Sequence, residues 1–256
     1  MEVGLQDILI LCVFAFVAGS IDAIVGGGGL VQLPALLIVL PQMPVVSLLG
    51  TNKLASVVGT ASAAVAYHRR VAVDRRTAAW MAGSAFVGAG AGAWLATRVG
   101  SDVLKPVVLL ALIAVLAYTL CSPALGEVEL LRLRARTQRA VAVVGGVVIG
   151  FYDGFVGPGT GSFLVFLLVG AVGLSFLHAS ATAKVVNTTT NLAALALFAA
   201  GGHVLWVLGA AMALANLAGS QVGARLAVRR GSGWVRRVFV VVVSVLVVRL
   251  SYDILG

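Results

Sequence analysis

Four ionisable side chains lie deep inside apolar stretches of the sequence: Asp22, Lys53, Asp153 and Lys184. Burying a charge away from water is costly unless the protein pairs or solvates it. Two lysines suit an anion, whereas two carboxylates could carry protons or hold the lysines in place. The four side chains therefore predict either a buried anion site or structural salt bridges. Those bridges could join Asp22 to Lys53 and Asp153 to Lys184, or cross between the two sets.

A stripe of polar side chains accompanies each lysine. Lys53, Ser56 and Thr60 have the spacing of one helix face. The same spacing recurs after the second lysine, in Lys184, Asn187 (or Thr188) and Asn191. Positive charge with hydroxyl and amide donors suits a small oxyanion that has several acceptor oxygens. The predicted substrate-binding side chains are Lys53, Lys184, Thr51, Asn52, Thr182, Ser56 and Asn187.

A glycine-rich break follows each aspartate by a few residues. The stretches are GSIDAIVGGGG at 19–29 and GFYDGFVGPGT at 150–160. Glycine and proline there should end one helix and begin a short second one, whose N-terminus carries partial positive charge and free N–H groups. Irregular backbone at membrane depth has to be buried in protein or line a wet cavity. The breaks add Gly27, Gly28, Gly159 and Thr160 to the predicted anion site.

The elements that carry these residues are predicted to be membrane helices. Hydrophobic residues make up 61% of the chain and charged residues only 11%, against roughly a half and a quarter in soluble domains. The formal charge of +9 lies mostly in arginines between apolar runs, so it reports membrane topology and not a nucleic-acid partner. We expect one all-α integral membrane domain over 1–256, whose partners are the lipid bilayer and a small anion.

Ten apolar segments follow one another along the chain, and two of them are short. We predict helices at 5–25, 29–40, 46–67, 77–98 and 102–121, then at 138–157, 161–175, 179–200, 204–227 and 235–252. Segments two and seven are shorter than the roughly 20 residues that span a bilayer. The first run starts behind Glu2 and Asp7 and lacks a positive n-region, so we expect a retained helix and not a signal peptide.

The basic residues suggest how the segments cross. If all ten cross and both termini lie outside, the basic loops 68–76, 131–139 and 229–237 are cytoplasmic, in agreement with the positive-inside rule. If segments two and seven are re-entrant, eight spans remain. Either 68–76 or 229–237 would then lie outside. The rule therefore favours ten crossings.

The chain is predicted to be an internal duplication. A shift of 131 residues without a gap superposes GSIDAIVGGGG on GFYDGFVGPGT, and GTNK (50–53) on ATAK (181–184). The repeats cover about 5–121 and 138–252. Because each would hold five crossings, the second must enter the membrane from the opposite side. Inverted repeats of this kind place substrate sites near the midplane, where the halves meet. Two glycine pairs, Gly88 with Gly92 and Gly219 with Gly223, are instead predicted to be helix-packing faces.

The motifs resemble the sulfite exporter (TauE/SafE) family of bacterial membrane proteins. The similar stretches are AGSIDAIVGGGGLVQLPALL (18–37), LGTNKLAS (49–56), GFYDGFVGPGTGSF (150–163) and ATAKVVNTTTN (181–191). The resemblance implies a multi-pass permease of the bacterial inner membrane for anions such as sulfite, sulfonates or thiosulfate. The second copy departs from the first at Pro158, Thr160 and Ala183, so the half-sites need not bind alike.

Other functions fit the sequence less well. An intramembrane protease would need Ser162 beside a histidine, but His68, His178 and His203 lie at or near predicted segment ends. We therefore expect no enzyme. Cys12 and Cys121 fall in apolar runs, which predicts packing residues and neither a disulfide nor a metal site. No cofactor is expected. A homodimer is compatible with the sequence.

Two aspects of transport stay open at this level. A passive anion channel of the same architecture could use the same lysines and helix dipoles. Asp22 and Asp153 could take up protons together with the anion, because burial disfavours the charged carboxylate. They could equally stay ionised and hold the lysines in place. Protons are thus a candidate second substrate.

Overall fold

The computed structural model describes residues 3–69, 73, 75–121, 135–174, 176–230 and 248. Over these residues it contains only helices. They are α1 Leu5–Val25, α2 Gly29–Val39, α3 Val45–His68, α4 Arg75–Ala96, α5 Ser101–Cys121, α6 Ala135–Phe155, α7 Thr160–Leu167 with a π-helical turn Leu168–Val172, α8 Phe176–Ala200 and α9 Trp206–Arg230. The predicted tenth segment, 235–252, lies almost wholly outside the described residues.

The surface of the helix assembly is apolar. On α1, Leu5, Leu9 and Val13 follow helical spacing and are 74%, 60% and 64% exposed. On α6, Val144 and Val148 are similarly exposed. The interior, in contrast, buries lysines, aspartates, asparagines and threonines. An apolar exterior around a polar interior is the arrangement expected in lipid, where the surroundings are as apolar as a protein core.

Two of the described helices, Leu5–Ile24 and Trp206–Leu226, are long and apolar enough to cross a membrane by length and composition. The short helices are different. At 1.5 Å per residue, the 11 residues of α2 extend about 16 Å, roughly half of a hydrocarbon core of about 30 Å. Full crossing at segments two and seven would therefore need the connecting residues as well.

Both predicted helix breaks are present. α1 ends at Val25, Gly26 takes φ +85°, and α2 begins at Gly29. α6 ends at Phe155, Gly157 and Gly159 take φ +95° and +80°, and α7 begins at Thr160. Glycine alone adopts these left-handed angles without steric cost, so Gly26 and its repeat equivalent Gly157 are what stop the two helices.

Helix packing is equivalent in the two predicted repeats under the 131-residue shift. α1 packs against α9 as α6 packs against α4, and α3 packs against α9 as α8 packs against α4. Each equivalent pair contains one helix from each repeat. α3 and α8, which carry the lysines, pack against each other at the centre.

Glycines make the repeated close approaches possible. A Cβ at Gly88 would overlap the carbonyl oxygen of Val147, and a Cβ at Gly219 would overlap the equivalent oxygen of Phe16. Gly92 and Gly223 meet the backbone one turn further along in the same way. The prediction that these glycines are helix-packing faces is confirmed.

Most predicted segment bounds agree with the helices to within three residues. The exception is segment seven, predicted over 161–175. Its regular helix ends at Leu167, and the π-helical turn closes at Gly173, which has φ +88°. The apolar pattern continues through this region, so hydropathy could not locate the change of helix type.

Candidate functional site

The four buried charges form two ion pairs, and each pair joins the two predicted repeats. Lys184 Nζ lies 2.7 Å from Asp22 Oδ2, and Lys53 Nζ lies 2.9 Å from Asp153 Oδ2. The sequence left open whether the pairs lie within a repeat or cross between repeats. The structure shows the crossed arrangement. When all four groups are ionised, the cluster is electrically neutral.

The two lysines are bound unequally. Lys184 donates to the Asp22 carboxylate and also to the Asp22 main-chain carbonyl. The other carboxylate oxygen of Asp22 accepts from the backbone N–H of Gly28 at 3.3 Å. Lys53 has the Asp153 ion pair alone among the described residues, and Asp153 Oδ2 accepts no well-aligned hydrogen bond there. Lys53 therefore keeps N–H groups available for another acceptor.

The two helix breaks meet at the centre of the molecule. The backbone N–H of Ser162, in the first turn of α7, donates to the carbonyl of Gly26 at 3.2 Å. A Cβ at Gly29 would lie 3.3 Å from Pro158 Cα. A contact within the second repeat also holds the second break, because the Tyr152 hydroxyl donates to the Pro158 carbonyl at 2.6 Å. The N-termini of α2 and α7 thus begin next to each other.

A cavity of about 370 Å³, its open mouth included, lies between the breaks and the central helices. This is near the lower end of the range of about 300–1,000 Å³ for ligand sites. Both repeats contribute about equally to its wall. The lining residues are Asp22, Gly26, Gly28, Gly29, Asn52, Lys53, Ser56 and Thr60 from the first repeat, and Asp153, Gly157, Gly159, Thr160, Gly161, Asn187, Asn191 and Asn216 from the second.

The cavity brings together many of the residues predicted from the sequence. The face formed by Lys53, Ser56 and Thr60 is turned toward it, as are Asn187 and Asn191 of the second repeat. Asn52, Gly28, Gly159, Thr160 and both aspartates complete the predicted residues in its wall. Glycines at both breaks bring the backbone itself into the wall.

Four predicted residues are not in the wall of the cavity: Lys184, Thr51, Thr182 and Gly27. Lys184 lies behind Asp22, which it contacts twice. The Thr51 hydroxyl donates to the carbonyl of Ser47 and accepts from the N–H of Leu205, just before α9 begins. These contacts give Thr51 a role in joining α3 to α9.

Two polar residues of the site escaped the sequence analysis, Gln32 on α2 and Asn216 on α9. Asn216 lines the cavity and donates to Gln32, which in turn donates to Asn52. Their repeat equivalents are Phe163 and Ala85. Comparing the two repeats for shared polar residues therefore does not identify them. A lone amide within the apolar run of segment two was the signal that could have found Gln32.

The chain is similar to a known protein family and to known proteins over nearly its whole length. The family model "Sulfite exporter TauE/SafE" matches residues 11–250. A "Probable membrane transporter protein" of Haemophilus influenzae is 35% identical over 99% of this chain and 98% of its own length. "Probable membrane transporter protein ORF9" of a Sinorhizobium species is 40% identical over 95% and 92%. "Probable membrane transporter protein YfcA" of Escherichia coli K12 is 36% identical over 95% and 89%. No solved structure matches significantly.

Proposed function

We propose a substrate class from the family to which this chain belongs. The chain is a membrane transporter of the sulfite exporter TauE/SafE family. Its proposed substrates are small sulfur-containing oxyanions such as sulfite, sulfonates or thiosulfate. The family name supports this substrate class. The protein would work as a multi-pass permease of the bacterial inner membrane, and its relatives above are all bacterial.

The observation that carries the proposal is the buried ammonium group of Lys53 in the wall of a central cavity. Lys53 is only 2% exposed, yet it lines the cavity with amide side chains from both repeats. A lysine ammonium and amide N–H groups are the donors that a sulfur oxyanion requires. The N-termini of α2 and α7 add partial positive charge at the same place.

The neutrality of the charge cluster supports proton coupling. An anion that binds the remaining N–H groups of Lys53 adds negative charge beside Asp153 and competes with it for the same ammonium group. Two negative charges that share one buried cation are costly, so uptake of one proton by Asp153 would restore neutrality when the anion is monovalent. Asp22 stays bound to Lys184 and to the Gly28 N–H, and it is less suited to this role. We therefore place the coupling proton on Asp153.

Alternating access would follow from two inverted repeats of five segments, 5–121 and 138–252. The crossed ion pairs and the equivalent helix packing support a two-fold relation between the repeats, because exchanging the two halves leaves both patterns unchanged. In transporters built this way the substrate binds near the midplane, between the repeats. The cavity lies between the two helix breaks, where such a site is expected.

Proteoliposome flux tests the proposal. The purified protein is reconstituted, and flux of radiolabelled sulfite, thiosulfate and a simple sulfonate is measured with and without a pH gradient. We expect saturable flux of at least one of these anions, increased by the gradient. Saturable flux that ignores the gradient would leave the substrate assignment intact and remove the coupling. Flux of none of them would refute the substrate class, and flux that never saturates would indicate a channel.

A further inference from the structure

Three buried amide side chains form a hydrogen-bonded chain beside the cavity. Asn216 Nδ2 donates to Gln32 Oε1 at 2.7 Å, and Gln32 Nε2 donates to Asn52 Oδ1 at 2.8 Å. Gln32 is fully buried, and the two asparagines are 2% and 4% exposed. The chain crosses from α9 through α2 to α3, so it connects elements of both repeats.

A contact with the backbone determines which end of each amide donates and which accepts. Gln32 Nε2 also contacts the main-chain carbonyl of Asn52 at 3.3 Å, and a carbonyl oxygen can only accept. The NH₂ end of Gln32 must therefore face Asn52. Asn52 must present Oδ1 to Gln32, and its own NH₂ group is turned away from it.

The NH₂ group of Asn52 has no acceptor among the described residues. Asn52 directly precedes Lys53 in the sequence, and both residues line the cavity. A donor that faces a cavity can bond only to water or to a ligand there, so this group is suited to a ligand that supplies an acceptor oxygen.

The three hydrogen-bonded amides have no counterpart at the equivalent positions of the opposite repeats. Under the 131-residue shift, Gln32, Asn52 and Asn216 correspond to Phe163, Ala183 and Ala85. The equivalent lysine there, Lys184, is held by two contacts to Asp22 and does not line the cavity. The second half-site therefore lacks both donors that an anion would use in the first, a lysine in the cavity wall and an amide at the position of Asn52.

We infer that the anion binds in the first half-site only, to Lys53 Nζ and Asn52 Nδ2, and that Gln32 and Asn216 are positioning residues that aim the Asn52 amide. This inference rests on the proposed function and deepens it. Gly59 and Gly19 make room for the chain, because a Cβ at either position would overlap Asn216. Lys184 has a structural role, which is to join the repeats through Asp22.

Equilibrium binding of radiolabelled thiosulfate and sulfite to the full chain in nanodiscs tests the inference. Asn52→Ala removes a hydrogen bond to a charged ligand and should weaken binding roughly tenfold or more. Ala183→Asn is the matched control at the equivalent position of the second repeat, and it should leave affinity unchanged. Gln32→Leu should weaken binding roughly fivefold, because Asn52 loses the partner that orients it.

The double variant separates positioning from a general structural effect. If Gln32 acts through Asn52, then adding Gln32→Leu to Asn52→Ala should cause no further loss of affinity. If Gln32→Leu does not fold, Gln32→Phe with Asn52→Ala and Asn216→Ala replaces it. That combination places at each position the residue found at the equivalent position of the other repeat, and it should bind as Asn52→Ala does.

Three results would overturn the inference. The affinity losses of Gln32→Leu and Asn52→Ala could multiply in the double variant. Asn52→Ala could bind as tightly as wild type, or Ala183→Asn could lose as much affinity as Asn52→Ala. Each could occur while Lys53→Met with Asp153→Asn still weakens binding, in which case the proposed function stands. If the wild-type protein binds neither probe anion, the proposed function itself fails.

Discussion

Removing Lys53 alone should destabilise the protein, and removing its ion-pair partner as well should restore stability. Lys53 Nζ and Asp153 Oδ2 are 2.9 Å apart, and each side chain is only 2% exposed. Loss of one partner of a buried pair strands a charge and costs about 3–5 kcal/mol, whereas replacing both by uncharged groups of similar size is often neutral. We therefore expect Lys53→Met to be destabilised by about 3–5 kcal/mol and Lys53→Met with Asp153→Asn by less than about 1 kcal/mol.

The control follows from the crossed pairing. Lys53→Met with Asp22→Asn also removes one positive and one negative charge, but it strands both Asp153 and Lys184. Thermal unfolding in a single detergent compares the three variants with wild type. The matched double variant should approach the wild-type midpoint, and the mismatched one should fall below Lys53→Met. Equal recovery in both doubles would show that net charge matters and that the specific pairs do not.

The same variants separate two roles for the lysine. If Lys53 binds the anion, the stable matched double variant should lose an ionic hydrogen bond of about 1.5–3 kcal/mol and bind roughly tenfold or more weakly. Wild-type affinity and flux in that variant would mean that Lys53 only neutralises Asp153. The equivalent pair, Lys184→Met with Asp22→Asn, should keep most of its affinity because Lys184 does not line the cavity.

Three further predictions concern coupling, the helix breaks and topology. Asp153→Asn should transport at similar rates with and without a pH gradient in proteoliposomes; a wild-type response to the gradient would assign the proton elsewhere. Gly26→Ala should lower stability by about 1–3 kcal/mol, because an alanine at φ +85° is strained. Gly90→Ala, where a Cβ meets nothing within 4 Å, is the control, and equal midpoints for the two would contradict this. With the native cysteines replaced, cysteines at Arg70 and Arg230 should both be labelled from the cytoplasm, and labelling from opposite sides would indicate a parallel duplication.

The sequence predicted the helices and their breaks because both depend on local patterns. Apolar runs set the helix positions, and the glycines at Gly26 and Gly157 are required by the left-handed backbone that ends α1 and α6. The repeat also singled out the four charged residues, since matching ionisable groups in an apolar chain are easily recognised. These features need no knowledge of which helices are neighbours.

The pairing of the charges and the amide chain could not be predicted in the same way. Whether Asp22 meets Lys53 or Lys184 depends on how the repeats pack, and the residue types are identical in either case. Gln32 and Asn216 become partners only because α2 and α9 approach each other at the cavity. Each also lacks a polar counterpart in the other repeat, because Gln32 corresponds to Phe163 and Asn216 to Ala85, so a comparison of the two copies does not identify them.

The position of a bound anion tests the central claim most directly. Bromomethanesulfonate, whose bromine scatters anomalously, can be located in crystals of the full chain grown with it. We predict one anomalous peak in the central cavity, with the sulfonate oxygens within hydrogen-bond distance of Lys53 Nζ and Asn52 Nδ2. A fully occupied sulfonate beside Lys184, or outside the cavity with the cavity empty, would contradict the account.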